Sequence, residues 1–413
     1  MNVDCIKAIA APSVHWFPKA ESHSLVQTPP LPQCEVCVIV PVRNESERLQ
    51  STLTALANQS DLAGLSLDPK RYEIILLANN CEDDSAAIAH RFAQQHPHLA
   101  LHVVEETLSA ANAHIGWVRK LLMDEAYNRL ISIGCSRGII ASTDGDTRVA
   151  PNWIAATLQE IDCGADAVGG RIVTDRRDRA ALTPYTRACH LREVGYRFLV
   201  AELEAHLDPD ALDVHSRHFQ HYGASLAVTA EMYGRAGGIP PVRTSEDVAL
   251  YQALMRIDAS FRHSPLVRAT TSARQVGRAQ HGLADQLSQW TAMEHEKQSF
   301  LVESAAAITT RLHAQRELRS LWQHRKNGYE PTLKDVAMPA DRLGITKDWV
   351  RDQLVQAQFF GELFEQVEQR QEQEGIWQQR WFPSKIEQAI DDLRLLLEPV
   401  RQQRRKVKQT SMA

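Results

Sequence analysis

Residues 139–146 read IIASTDGD, a short apolar run that leads directly into two aspartates separated by one glycine. A continuous apolar run is typical of a parallel strand that is buried on both faces. Asp144 and Asp146 therefore follow the carboxyl end of a strand, where open α/β sheets bind their ligands. Two carboxylates at this spacing can hold one hard divalent cation, Mg²⁺ or Mn²⁺, although Asp-Gly is also a common turn dipeptide. The next helix opens at Pro151 and Trp153, which favours the metal-binding interpretation.

Three apolar runs that precede this motif predict neighbouring strands of the same sheet, at 36–40, 72–78 and 101–104. Pro41 is predicted to end the first strand, and an amphipathic helix follows it. The alternation of strands and helices predicts right-handed crossovers and a mostly parallel sheet flanked by helices. The fold class is thus α/β, and the polar residues at the strand ends are the candidates for chemistry.

Two polar loops follow the first two predicted strands, PVRNESE at 41–47 and NNCEDDS at 79–85. Ser46 is predicted to cap the helix that follows the first loop. Each loop offers backbone groups and polar side chains to a ligand that lies over the sheet. Ordinary helix capping is the alternative interpretation of both loops.

The order of IVPVRNE, LLANNCEDDS and STDGDT resembles the family 2 glycosyltransferases, which have the GT-A fold. The similarity continues through YGASLAV at 222–228, GGIP at 237–240 and SED at 245–247, so it covers about residues 34–290. This resemblance implies a Rossmann-like, mostly parallel sheet and a nucleotide-diphosphate sugar as the donor.

The resemblance also implies roles for individual residues. Asp144 and Asp146 match the DXD motif that binds the metal and the nucleotide diphosphate. Asp247 matches the general base, and Glu246 stands beside it as a second catalytic candidate. Asn80 stands where the family commonly has an aspartate that contacts the nucleotide base, which is a departure from the pattern. The loop that holds the nucleotide is matched by Pro41, Arg43, Asn44 and Glu45.

Basic residues and one histidine extend this predicted site. Arg119 is expected near the diphosphate, with a solvated helix face as the alternative. Arg274 belongs to a basic segment that suits a flap closing on pyrophosphate. His281 matches the late histidine that serves some GT-A enzymes as a third metal ligand, although a lone histidine is more often structural.

Two other patterns invite a metal interpretation. Cys34 and Cys37 form a C-x-x-C, but no second pair follows at zinc-like spacing, which favours two half-buried residues entering a strand. The run of His215, His218 and His221 has no cysteine nearby. We expect these histidines to line or flank an acceptor pocket, or to be solvated.

Composition limits the classes of function. The 413 residues carry 46 basic and 51 acidic side chains, with a net charge of -5. The chain therefore lacks the overall positive charge that would indicate a nucleic-acid-binding protein. No run reaches the ~18 consecutive apolar residues of a membrane span, and the amino terminus lacks the pattern of a secretory signal. We therefore expect a soluble, cytoplasmic protein.

Three regions differ in composition along the chain. A proline-rich arm is predicted at 1–33, the GT-A domain at 34–290 and an α-helical domain at 291–413. In the last region, apolar residues recur at helical spacing from Ile386 to Leu397, and Pro399 is predicted to end that helix. This domain is expected to pack on the catalytic domain or to form a homodimer interface. The alternative is peripheral contact with an anionic membrane through the basic tail, Arg401, Arg404, Arg405, Lys406 and Lys408.

The function expected from these features is metal-dependent, inverting transfer of one sugar to a hydroxyl of a discrete acceptor. The Gln-x-x-Arg-Trp motif of processive synthases is not matched by Gln286 to Trp290, and this favours a single transfer. A retaining GT-A enzyme and a non-catalytic nucleotide-sugar-binding protein are the alternatives. A nucleotidyltransferase is disfavoured because the loop after the first strand contains no glycine.

Overall fold

The computed structural model of the chain describes residues 24–213, 217–275, 277, 282–296 and 298–411. A sheet of eight strands forms its centre. The strands of the chain are β1 (Val36–Val42), β2 (Tyr72–Asn79), β3 (Ala100–Glu106), β4 (Ile139–Ser142), β5 (Arg148–Val149), β6 (Ala167–Thr174), β7 (Leu226–Thr229), β8 (Phe261–Thr271), β9 (Leu301–Val302) and β10 (Ser384–Lys385). The last two pair only with each other.

Helices cover the sheet and make up most of the carboxyl-terminal region. They are α1 (Leu49–Ala57), α2 (Ser85–Gln95), α3 (Ile115–Ser132), α4 (Trp153–Asp162), α5 (Arg176–Ala181), α6 (Pro184–Leu207), α7 (Ala230–Arg235), α8 (Glu246–Arg256), α9 (Leu283–Glu296), α10 (Ala305–Lys326), α11 (Ala337–Leu343), α12 (Lys347–Gln356), α13 (Phe360–Gln373), α14 (Ile376–Arg380) and α15 (Ile386–Ser411). Among the described helices, none is long and apolar enough to cross a bilayer.

The strand order of the large sheet is β3-β2-β1-β4-β7-β6-β8-β5. The first four strands are parallel, β7 is antiparallel to both of its neighbours, and β6 is parallel to β8. The carboxyl ends of β1, β2 and β4 therefore meet at one edge of the sheet. The expected α/β fold with a mostly parallel sheet, flanking helices and a helical carboxyl-terminal part is confirmed.

The prediction that Pro41 ends the first strand is wrong. Strand β1 continues to Val42, and Pro41 pairs with Leu77 of β2. On its other side β1 pairs with β4 only as far as Ile39, opposite Ser142. A proline is tolerated at this point because its missing N–H lies where the central ladder has already ended.

The sheet is covered on both faces. One core packs α1, α2 and α4 against the alternate residues of β1, such as Val38 and Val40. The other core packs α3, α7 and α8 against Cys37 and Ile39, which point to the opposite face. Because successive strand residues alternate between faces, an apolar run such as VCVIV is required where both faces are buried.

Further cores lie among the helices of the carboxyl-terminal part. One lies between α10 and α13, and another joins α6 to α10 and α15. The prediction that Pro399 ends the last helix is wrong, because α15 continues through it. Leu393 and Leu397 are buried against α6 before the proline, and Arg401 binds Glu202 of α6 at 2.6 Å after it. These contacts hold the helix in place on both sides of Pro399. The predicted domain boundary at 290 falls within α9.

The described part of the predicted arm lies along α3 and β2. Ser24 and the amide of Leu25 donate to Glu125, and the amide of Leu31 donates to Glu73. Cys34 and Cys37 are fully buried rather than half-buried, with their Sγ atoms 3.9 Å apart.

Glu73 lies close enough to these two thiols for the three side chains to surround an ion. Arg129, however, already donates to Glu73 at 2.7 Å and 2.9 Å. The carboxylate therefore has a buried cationic partner without a metal.

Candidate active site

Backbone strain is concentrated at the edge of the sheet where β1, β2 and β4 end. Asn44 and Asn80, in the loops after β1 and β2, have φ values of 55° and 49°. Ser245, directly before α8, has a φ of 56°. Residues other than glycine rarely adopt this left-handed backbone conformation, and those that do so cluster at functional sites.

The loops after β1 and β2 hold each other in place. Asn44 accepts a hydrogen bond from the amide of Glu82 at 2.8 Å, and Asp83 accepts one from the amide of Ser46 at 2.9 Å. Burial opposes ionisation of Asp83, but hydrogen bonds from Ser85 and Ser46 outweigh it and lower the pKa of Asp83 to about 2. Ser46 therefore does not cap α1, which begins three residues later with Arg48 at its N-cap.

Two residues of the predicted nucleotide site bind backbone instead of facing open solvent. Asn80 donates to the carbonyl of Leu108 at 3.0 Å and accepts from the amide of Leu108 at 3.1 Å. Arg43 donates to the carbonyl of Ala113 at 3.1 Å. Both side chains thus fix the segment between β3 and α3 beside the two polar loops.

Arg119 of α3 lies at the centre of the site and is buried. It donates to Asp144 at 2.9 Å and to Glu246 of α8 at 2.8 Å. It also donates to the hydroxyl of Ser142 and, at 3.1 Å, to the carbonyl of Gly223. One guanidinium therefore connects the DXD motif to the start of α8.

Asp247 is held on the other side of the same backbone turn. Its Oδ2 accepts a hydrogen bond from the amide of Gly223 at 2.7 Å, and its Oδ1 accepts one from the amide of the next residue, Val248, at 2.8 Å. Gly223 thus contacts Arg119 through its carbonyl and Asp247 through its amide. Its lack of a side chain is required here, because a Cβ would lie 2.4 Å from the Arg119 guanidinium.

Asp146 has a second arginine beside it. Arg274, just after β8, donates to both carboxylate oxygens of Glu45, at 2.6 Å for one of them, and lies 3.3 Å from Asp146. Ser272 donates to the same Asp146 oxygen at 2.5 Å. The two aspartates of the motif are therefore paired with different arginines.

Negative charge is in excess in this network. Two guanidinium groups, of Arg119 and Arg274, lie among five carboxylates: Glu45, Asp144, Asp146, Glu246 and Asp247. Oxygen donors with excess negative charge are the set that a hard divalent cation prefers. Arg274 marks a position at which the site stabilises a cation, so Asp144 and Asp146 fit a metal of the Mg²⁺ or Mn²⁺ type.

The ionisation of the network reflects burial. Burial raises the pKa of Asp144 and of Glu246, and Arg119 offsets part of this effect. Burial alone would lower the pKa of Arg119, but Asp144 and Glu246 outweigh it and raise that pKa above its ordinary value. Arg119 therefore remains the permanent positive charge of the site.

The structure brings most of the predicted residues together, with different contacts for some of them. Glu246 is buried against Arg119, and Arg119 itself is enclosed by protein partners instead of projecting into open space for a diphosphate. Pro41 is buried in β1 beside the DXD turn, with its carbonyl 3.4 Å from the Cβ position of Gly145. His281 lies outside the described residues, so its predicted role as a metal ligand stays a prediction.

His218 and His221 belong to an aromatic cluster instead of a zinc site. His218 bonds the carbonyl of Ser264 at 3.0 Å with one ring nitrogen and the amide of Gln220 at 3.0 Å with the other. His221 stacks on Tyr251 at 3.9 Å. Burial lowers the pKa of both histidines to about 3. The solvated alternative is therefore wrong for this pair, while a place beside the acceptor pocket stays a prediction, and His215 lies outside the described residues.

Sequence reasoning assigned no role to Gly223 or Ser142. Gly223 was recognisable only as part of the YGASLAV stretch, because a glycine signals a close approach without naming the partner. Ser142 is the last residue of β4, and its hydroxyl donates to the carbonyl of Gly223 at 2.9 Å. The sequence feature that could have identified Ser142 as a site residue was its position at the end of a strand.

Residues 37–216 match the family described as Glycosyl transferase family 2. Over this segment the chain is similar to that family. The resemblance inferred from the motifs is therefore confirmed. "Glycosyltransferase AglE" of Haloferax volcanii is 25% identical over 138 residues, which are 33% of this chain and 39% of that protein. The chain thus aligns with about two fifths of the length of this relative.

Solved glycosyltransferase structures are similar over more of the chain. The mannosyltransferase PcManGT from Pyrobaculum calidifontis, in complex with GDP-Man and Mn²⁺, is 16% identical, with 78% of each chain covered and a TM-score of 0.40. The S. aureus TarS fragment in complex with UDP-GlcNAc is 14% identical, with 83% of this chain and 92% of that chain covered and a TM-score of 0.42.

Proposed function

We propose that this protein is a metal-dependent, inverting glycosyltransferase that moves one sugar from a nucleotide-diphosphate donor to a hydroxyl of a discrete acceptor. The observation that carries the proposal is the network around Arg119. It joins Asp144, on the donor side, to the backbone turn that holds Asp247. A donor bound at Asp144 would therefore have its reacting carbon beside Asp247.

The donor side consists of the DXD motif and the two polar loops. Asp144 and Asp146 would hold the divalent cation, which as a Lewis acid stabilises the charge of a leaving diphosphate. The loops after β1 and β2, fixed by the Asn44 and Asp83 hydrogen bonds, would enclose the nucleotide.

Asp247 is the proposed base. Its two backbone hydrogen bonds hold the carboxylate in one orientation at the amino terminus of α8, where the helix dipole favours negative charge. There it would take the proton of the acceptor hydroxyl as the oxygen attacks the anomeric carbon, and the diphosphate leaves from the opposite face. One base without a covalent intermediate gives a single displacement and inverts the anomeric centre.

Glu246 has a different proposed role. It is buried and bound to Arg119 at 2.8 Å, so it positions the guanidinium and does not contact the acceptor. Only one of the two neighbouring carboxylates at the start of α8 is then available as a base.

The test measures donor binding and sugar transfer separately in the Asp247→Asn variant. The asparagine keeps the size of the side chain and one acceptor oxygen, so a nucleotide sugar selected by a thermal-shift screen with Mn²⁺ should bind with unchanged affinity. Transfer should fall by about 10²- to 10⁴-fold, the usual contribution of a general base. Full transfer activity in this variant would exclude Asp247 as the base, and donor binding without transfer in the wild type would favour a non-catalytic binding protein.

A further inference from the structure

Arg274 is the cationic partner of Asp146. Its guanidinium binds both oxygens of Glu45 and lies 3.3 Å from Asp146 Oδ2. The side chains of Glu45 and Asp146 are only 8% and 12% exposed, so the three charged groups meet largely away from solvent. Arg274 therefore partly neutralises a carboxylate that the proposed function assigns to the metal.

The backbone that carries Arg274 has its own attachments. Ser272 donates to Asp146 at 2.5 Å, and the amide of Ala273 donates to Asp178 at 3.0 Å. Asp178 also binds Arg48, at 3.0 Å, next to the loop after β1. The Arg274 side chain can thus change partner while this anchored segment keeps it at the mouth of the site.

We propose that Arg274 and the divalent cation compete for Asp146, and that metal binding releases the Arg274 guanidinium to the diphosphate of the donor. This inference rests on the proposed function, because it assigns the metal to Asp144 and Asp146. Two cations cannot both make full use of the same carboxylate oxygens without repelling each other. Once a divalent ion neutralises Asp146, Arg274 loses one of its two acidic partners.

The released guanidinium suits the group that arrives with the metal. Arginine presents a planar fork that binds phosphate oxygens in a bidentate way, as Arg274 binds Glu45 here. Metal and nucleoside diphosphate should therefore bind with positive coupling, and Arg274 should be the residue that carries much of it.

The first experiment titrates Mn²⁺ alone into the full-length protein by calorimetry. Arg274→Gln should bind Mn²⁺ about tenfold more tightly than the wild type, since removing the neighbouring unit charge removes its repulsion of the divalent ion. The matched control is Arg268→Gln on β8, the strand that ends before Arg274, where the exposed guanidinium donates to the carbonyl of Pro265 at 2.8 Å. That control should leave the Mn²⁺ affinity unchanged.

The second experiment titrates UDP and GDP in saturating Mn²⁺. Arg274→Gln should bind the preferred diphosphate about 10- to 100-fold more weakly, which is the usual range for a charge-assisted hydrogen bond to phosphate. Arg274→Lys keeps the charge but lacks the fork, so it should bind Mn²⁺ like the wild type and bind diphosphate more weakly. Opposite changes for metal and diphosphate would not result from a general loss of structure.

Equal or weaker Mn²⁺ binding by Arg274→Gln, in a protein whose wild type binds Mn²⁺, would overturn the competition and leave the proposed function standing. Failure of the wild type to bind Mn²⁺, with or without UDP or GDP, would overturn both this inference and the metal dependence of the proposed function.

Discussion

Gly223 is the position where the smallest substitution should have the largest effect on the site. In Gly223→Ala the new Cβ would lie 2.4 Å from three atoms of the Arg119 guanidinium, so one of the two groups must move. Arg119 is buried and bound to Asp144, Glu246 and Ser142, so its guanidinium cannot move without disturbing those bonds.

The cost has two parts. Overpacking of a filled interior costs about 1–3 kcal/mol, and separating a buried arginine from its acidic partners costs about 3–5 kcal/mol. Because partial movement relieves some of each, we expect a loss of about 2–5 kcal/mol in the free energy of unfolding. A displacement of Asp144 or Asp247 by about 1 Å should also reduce transfer about 10²-fold, as misplacement of reacting groups usually does.

The assay compares urea unfolding and transfer rate with those of Gly195→Ala. Gly195 lies in α6, and a Cβ there would meet nothing within 4 Å among the described residues, so this control should be neutral or slightly stabilising. If Gly223→Ala were as stable and as active as Gly195→Ala, the central position of Arg119 in the site would be refuted.

Two further predictions concern the metal and pH. Asp146→Ala should abolish Mn²⁺-dependent binding of the nucleotide sugar in calorimetry, because the motif loses one of its two carboxylates, and unchanged binding would contradict the metal role. His218 is buried, and its pKa is lowered to about 3. Below pH ~6.5 the unfolded chain therefore takes up a proton at this residue that the folded chain does not bind. The free energy of unfolding should consequently fall by about 2 kcal/mol between pH 7 and pH 5. His218→Gln should lose that part of the pH dependence in urea unfolding, and an identical dependence in both proteins would contradict the buried, neutral state of His218.

The proposed donor side of the site could be predicted from sequence because its signals are local. An apolar run followed by DGD places Asp144 and Asp146 at the end of β4 whatever the rest of the chain does. The polar loops after β1 and β2 follow from the same rule, since the ends of adjacent parallel strands share one edge.

The partners of these residues could not be predicted in the same way. Arg119 and Glu246 are 127 positions apart, and an arginine on a helix is usually solvated. Only the tertiary packing of α3 against α8 reveals that this one is buried and permanently paired. Pro41 and Pro399 were misjudged because both depend on tertiary contacts. At Pro41 the missing N–H lies beyond the end of the pairing with β4, and at Pro399 contacts with α6 hold the helix on both sides of the proline.

The anomeric configuration of the fresh product tests the central claim most directly. The proton spectrum of the product, recorded before any spontaneous anomerisation, gives its configuration relative to that of the sugar donor. Single displacement with Asp247 as base predicts inversion. Retention would contradict it, and would require a different role for the carboxylate that Gly223 and Val248 hold in place.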